Sequence, residues 1–263
     1  MATSPTVIAI IPARMGSTRF PGKPLAPLLG IPMIEHVYRR AAMSPCLSAV
    51  YVATCDQEIM DAVQSFGGHA VMTSAAHQRA SDRIAEAAAG LDADIIVMVQ
   101  GDEPMVVPEM IDLAVEPLLS DPTVQCVNLA GRIESLEEFR DPNTIKVVMD
   151  PHGDALYFSR EPIPALRGAP LELAPGAKQV CIIPFRRDAL FAFAALEATP
   201  LEQAESVDML RFLEHGHKVR MVPTPYSSHA VDTPADLALV AGLLSDDPLT
   251  ASYMERSTGA PSA

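Results

Sequence analysis

The sequence predicts a doubly wound α/β fold on a mostly parallel sheet. Two observations point there. Short, nearly continuous apolar runs have the pattern of strands covered on both faces. Amphipathic segments of helical length alternate with them, as in a chain that winds helices over both sides of a parallel sheet. The chain's 263 residues, 49% of them apolar, suffice for a sizeable core and exclude a disordered polymer.

Taken in order, Thr6–Ile11, Ala49–Thr54 and Ile95–Gln100 are the apolar strands. Met33–Ala42, Asp56–Phe66 and Ser81–Ala89 are amphipathic helices, and Pro108–Leu119 is a helix with proline in its first turn. This succession of strands and helices reads as a doubly wound α/β order. Further on, Cys126–Ile133, Ile145–Met149, Ala155–Phe158 and Gln179–Phe185 suggest strands with few helices between them, a β-rich element over about residues 150–186. Helices return at Asp188–Leu196 and Glu205–Glu214. A last strand at Lys218–Pro223 and a last helix at Pro234–Leu244 complete a single domain over residues 1–244. Residues 161–176 read as a loop and residues 245–263 as a loose polar tail.

The net charge is −14, from 19 Lys and Arg against 33 Asp and Glu. Such a balance argues against a nucleic-acid binder, whose phosphate contacts need excess cations. The charge is uneven, however. Residues 1–40 hold Arg14, Arg19, Lys23, Arg39 and Arg40 against the single acid Glu35, which suits a site for a small anion. No apolar run has the roughly 18 residues of a membrane span. Cys46, Cys55, Cys126 and Cys181 form no C-x-x-C pair. That cysteine usage and the lack of a signal-peptide pattern give a reduced, cytoplasmic protein as the expectation.

The most informative segment is Ile11–Pro24, IPARMGSTRFPGKP, directly after the first strand. Ligands of open α/β sheets bind outside the carboxyl ends of the strands. Glycines there let backbone N–H groups approach phosphate, and fixed cations hold it. The segment is not a P-loop: Gly16 and Gly22 enclose five residues rather than four, and Pro24 stands where the Ser or Thr would be. The dinucleotide fingerprint is absent too. A second segment, Val99–Pro104 (VQGDEP), puts Asp102 beyond a strand end, where a carboxylate can hold Mg2+. A third, Val231–Leu237 (VDTPADL), puts Asp232 before a helix; in isolation it reads as a helix N-cap. His36 reads as a surface or packing residue, and Cys181 as an inert buried thiol.

Together these segments, with Ala155–Arg160 (ALYFSR), resemble the CMP-Kdo synthetases, the 3-deoxy-manno-octulosonate cytidylyltransferases, from Val7 to about Leu244. The resemblance implies a nucleotide-diphospho-sugar transferase-like fold with a small β-rich lid or dimerisation element. It implies transfer of CMP from CTP to an acidic sugar, with release of pyrophosphate, for lipopolysaccharide biosynthesis. CTP and a small acidic acceptor are the implied partners, Mg2+ the cofactor and a homodimer the assembly.

By the same resemblance Arg14, Ser17 and Lys23 bind the triphosphate, with Arg19 in the same loop. Thr73, Ser81 and Arg83 fall in the nucleotide-recognition stretch. There Arg79-Ala80-Ser81-Asp82 replaces the family's Ser-Gly-Thr-Glu. Asp102 and Asp232 match the metal ligands, and with Arg14 and Lys23 they form the implied catalytic set. Gln100 lies between nucleotide and sugar, and Arg160 contacts the acceptor's carboxylate. Gln179, Glu202 and Glu205 complete the acceptor side. This side departs from the family: Gln179 replaces a His, Ile183 a Tyr and Met209 a Gln. Lost hydrogen-bonding groups in an acceptor pocket raise the alternative of a different acid, another 2-keto-3-deoxy sugar acid or a phosphonate. A non-catalytic nucleotide-binding homologue is the second alternative.

Overall fold

The computed structural model describes residues 4–16, 19–168, 170–171 and 176–258. In chain order its elements are β1 (Val7–Ala13), β2 (Pro27–Leu28), β3 (Ile31–Pro32), α1 (Met33–Ala41), β4 (Ala49–Thr54), α2 (Gln57–Ser65), β5 (His69–Met72), α3 (Ala80–Ala89), β6 (Ile95–Val99) and α4 (Pro108–Ser120). There follow β7 (Val127–Gly131), α5 (Leu136–Arg140), β8 (Lys146–Met149), β9 (Ala155–Ser159), β10 (Gly176–Val180), β11 (Ile182–Arg186), α6 (Arg187–Ala194), α7 (Pro200–Glu205), α8 (Met209–Glu214), β12 (Arg220–Pro223), α9 (Pro234–Ser245) and α10 (Pro248–Thr258).

The first sheet has the order β11-β6-β1-β4-β5. Its β5, β4, β1 and β6 run parallel, and β11 pairs antiparallel with β6. Every residue of β1 is buried because its two faces meet two different layers. Val7, Ala9 and Ile11 pack with α1, α2 and α4, whereas Ile8 and Ile10 pack with α3 and α6. That two-sided burial is why β1 reads as an uninterrupted apolar run. Strand β5 carries no such run: it is an edge strand with exposed His69 and Met72, which hid it from the apolar pattern.

The second sheet has the order β12-β7-β10-β8-β9 and is mostly antiparallel. It recruits strands from residues 127–223, well beyond the expected 150–186. The expected single strand Gln179–Phe185 is two strands in two sheets, parted at Cys181. A bridge between Cys126 and Phe185 and the bond from Arg186 N to Gln125 O, 2.9 Å, stitch the sheets together.

Two further expectations are corrected. Glu205–Glu214 is not one helix, because Ser206 adopts a left-handed φ of 53° and separates α7 from α8. Residues 248–258 are not a loose tail but helix α10. Its Tyr253 is 2% exposed and bonds through Oη to His36 Nδ1 at 2.6 Å. Buried Arg40 pairs with Asp247, just ahead of α10. The polar composition misled because these polar groups are satisfied by α1, not by water.

Candidate active site

In a parallel sheet all carboxyl ends lie on one edge, and here that edge collects the charged loops. Arg14 follows β1, Asp56 follows β4, Thr73 follows β5 and Gln100 to Asp102 follow β6. The loops after β1 and β6 line a cleft of about 340 Å³ that includes Arg14, Arg19, Lys23, Gln100, Asp102 and Asp232.

Local backbone chemistry sets the phosphate-type loop. Asp56 Oδ2 accepts from Met15 N at 2.8 Å, anchoring its start. Gly22, with φ 73°, donates from its N–H to Met15 O at 3.1 Å and turns the chain so that Lys23 faces inward. Gly101 serves a different need: a Cβ there would sit 2.8 Å from Pro12 O, so only glycine lets the β6 loop lie against the end of β1.

Asp102 and Asp232 converge on one ammonium. Lys23 Nζ lies 2.8 Å from Asp102 Oδ2 and 3.3 Å from Asp232 Oδ1. Arg19 Nη2 adds a contact to Asp232 Oδ1 at 3.1 Å, and its Nη1 donates to Asn143 at 2.7 Å. Asp232 is not the cap of α9. Thr233 is, in a capping box with Asp236, so the Asp232 carboxylate is left for the cleft. The bond from Val231 N to Asp102 O, 2.9 Å, ties the two acidic loops together. Arg14 is exposed and makes no hydrogen bond or ion pair with a described residue. Ser17 lies outside the described residues.

Other expected residues stand further back. Arg83 reaches the cleft, and its Nη1 donates to Thr73 Oγ1 at 2.6 Å; Thr73 in turn donates to Thr54 O at 3.1 Å. Ser81 is fully buried and donates to Asp208 at 2.8 Å. On the acceptor side, Glu202 is 1% exposed and takes two bonds from Arg211, at 2.9 and 2.7 Å. Glu205 accepts from Ser159 Oγ and Arg160 N, both at 2.8 Å. Arg160 donates from Nε to Glu205 O at 2.7 Å and from Nη1 to Pro142 O at 2.8 Å. Gln179 donates to Asn128 Oδ1 at 2.6 Å. Ile183 and Met209, at 1% and 0% exposure, belong to the apolar core beneath α3 and α6. Neither is among the residues that line the cleft.

Sequence reading missed Glu103. Its side chain is buried, accepts from Ser228 Oγ, and burial pushes its carboxyl up to about 7. Its place beside Asp102 in VQGDEP was the available signal. Arg79 was seen as a departure but not as a cleft residue, which it is.

Asp102 and Asp232 offer hard carboxylate oxygens from two loops to one point. That donor set fits a divalent cation completed by water and phosphate oxygens, the usual Mg2+ arrangement.

Comparison with known proteins matches this architecture. Residues 8–219 match the family model described as cytidylyltransferase. A 3-deoxy-manno-octulosonate cytidylyltransferase of Geobacter metallireducens is 50% identical over 91% of this chain and 98% of its own. The same-named protein of Solibacter usitatus is 45% identical over 90% and 94%. A solved CMP:2-keto-3-deoxy-manno-octonic acid synthetase complexed with CTP superposes with a TM-score of 0.85, at 41% identity over 91% of this chain and 98% of that one. With its loops gathered at one sheet edge and its similarity running nearly end to end, the chain belongs to the 3-deoxy-manno-octulosonate cytidylyltransferase family.

Proposed function

We propose that the protein transfers CMP from CTP to 3-deoxy-manno-octulosonate, releasing pyrophosphate, with Mg2+ as cofactor. The observation that carries this reading is the convergence of Asp102 and Asp232 on Lys23, in a cleft rimmed by Arg14 and Arg19. The arrangement supports binding a polyanion: fixed cations oppose the triphosphate, and two carboxylates offer oxygens for the cation that accompanies it.

In this reading the acceptor's anomeric hydroxyl attacks the α-phosphorus and gives up its proton to water, while the bond from the α-phosphorus to the oxygen bridging to the β-phosphate breaks and pyrophosphate leaves. Arg14, Arg19 and Lys23 hold the triphosphate and oppose the charge that grows on the leaving pyrophosphate. Lys23 hands its carboxylate partners over when nucleotide enters. Asp102 and Asp232 would hold the metal, which when bound polarises phosphoryl oxygens and neutralises their charge. Gln100, Arg83 and Thr73 shape the nucleotide side. Gly101 keeps the loop close enough for Asp102 to reach.

The placement of Ile183 and Met209 in the core favours the parent sugar acid over an altered acceptor. Lys23, Asp102 and Asp232 in mutual contact speak against a non-catalytic homologue. A single catalytic domain that includes α10, working in the cytoplasm as a homodimer, completes the proposal. Among the described residues no helix is long and apolar enough to cross a membrane.

The test is pyrophosphate release from each of the four NTPs with 3-deoxy-manno-octulosonate and a panel of other acids, with and without Mg2+. Turnover confined to CTP, the parent acid and added metal is expected. Faster turnover of another acid, or none in any combination, sinks the reading.

A further inference from the structure

Asp232 sits in an irregular segment, residues 224–233, between β12 and α9. Such backbone has no ladder to hold it, so its position depends on individual bonds. Thr224 N ties its start to Ala130 O at 2.9 Å. The part nearest Asp232 is held in two ways. Lys23 and Arg19 pair with the Asp232 carboxylate, at 3.3 and 3.1 Å. Separately, Ser228 Oγ donates to Glu103 Oε2, and Val231 N donates to Asp102 O at 2.9 Å. A ligand acts differently on the two sets. Lys23 and Arg19 are the cations that a triphosphate claims, so their hold on Asp232 weakens when nucleotide enters. The bonds to Asp102 and Glu103 involve no cation of the cleft and persist.

Glu103 is the fixed end of its bond. Its N–H donates to Gln100 O at 3.2 Å and its carbonyl accepts from Val106 N at 3.1 Å, so its backbone is locked within the loop after β6. The residue is 8% exposed and does not line the cleft. Ser228 Oγ is the one hydrogen-bond partner of its carboxyl among the described residues. A buried carboxyl with a single hydrogen bond opposes folding, and an apolar side chain of that size would pack there at less cost. What the carboxyl adds is a grip on a segment 125 residues away. Its neighbour Asp102 grips the same segment through a carbonyl. One turn thus carries the first carboxylate of the site and fixes the second.

We infer that Glu103 is a positioning residue for the metal site: through Ser228 it keeps Asp232 within reach of the cation that Asp102 holds, once nucleotide has drawn Lys23 and Arg19 away. The inference rests on the metal-binding reading of Asp102 and Asp232 proposed above.

Mn2+ binding tests it, read from the electron paramagnetic resonance signal of the free ion with CTP present and acceptor absent, after subtraction of the uptake by CTP alone. Glu103→Leu and Ser228→Ala remove the bond from its two ends, and each is expected to weaken Mn2+ binding about tenfold. Glu103→Gln keeps an acceptor oxygen at the same reach and is expected to stay within about threefold of the unaltered protein. The double variant of Glu103→Leu and Ser228→Ala is expected to lose no more than one single change, because both remove the same bond. In steady-state kinetics the Mg2+ needed for half-maximal turnover should rise in step, with the CTP KM at saturating metal nearly unchanged. Unmoved Mn2+ affinity in Ser228→Ala overturns the inference, and that variant carries the test should Glu103→Leu not fold. Additive losses in the double variant overturn it too. So does a loss in Glu103→Gln as large as in Glu103→Leu, which makes the charge and not the bond the working part. An unaltered protein that takes up no Mn2+ with CTP sinks the metal reading and the inference together; uptake that none of the variants weakens sinks the inference alone.

Discussion

The loops after β1 and β6 leave their charged side chains turned to the cleft, whereas α7 and α8 engage theirs with one another. Arg14 has no partner among the described residues, and Lys23 holds two carboxylates that a ligand can claim. On the other wall, Glu202 and Arg211 are nearly buried and doubly bonded, and Glu205 is saturated by Tyr157, Ser159 and Arg160. Residues of the first wall are thus expected to set activity, and those of the second to set stability. Charged residues equally prominent in the sequence have different physical work because only some meet competing protein partners.

The sharpest break of that contrast is Asp102→Ala. Turnover should fall roughly a thousandfold, about 4 kcal/mol of transition-state stabilisation, with thermal unfolding nearly unchanged. A large loss of stability with turnover intact would reverse the assignment of the walls. Next comes Arg211→Leu, which strands buried Glu202. A loss of about 3 kcal/mol is expected in denaturant unfolding, while folded enzyme keeps its CTP KM. Ile183→Tyr forces a larger side chain into the core under α3 and should destabilise by about 1–3 kcal/mol without changing which acid is used. A changed acceptor preference would return Ile183 to the pocket.

The smallest expected effect is a pH slope. Burial, with Arg40 and Arg39 nearby, holds the His36 imidazole below its ordinary value of 6.5, so the folded protein keeps it neutral. Its Nε2 donates to Leu28 O at 2.7 Å and its Nδ1 faces Tyr253 Oη. The unfolded chain takes up a proton near pH 6.5 that the folded chain refuses. This site therefore supports stability above pH 6.5 and loses that support as the pH falls through it. His36→Gln should flatten the fall in melting temperature between pH 6.5 and 5. An equal slope in both proteins would remove His36 from the account.

The same contrast governs what could be read in advance. Strands β1, β4 and β6 are buried on both faces, and that condition writes itself into composition as apolar runs. That Lys23, Asp102 and Asp232 come together was legible because the motifs holding them resemble those of one family. Strand β5, the break at Ser206, the division at Cys181 and helix α10 were not. Each depends on a tertiary partner: an edge position, a left-handed φ, a second sheet, the surface of α1. Burial of Glu103 and the aim of Arg79 are likewise set by chain segments more than a hundred residues away.

Lys23 meets Asp102 across 79 residues and Asp232 across 209. Strands β1, β4, β5 and β6 come from one continuous stretch, residues 7–99, and can pair before the rest of the chain has settled. The proposed active centre is complete only when the segment ahead of α9 brings Asp232 to Lys23, and contacts of such sequence separation are expected to form late. In a refolding experiment helical and sheet signals should therefore return first and catalysis last. A stage in which the protein is well folded by spectroscopy and not yet active is the expected sign of that order.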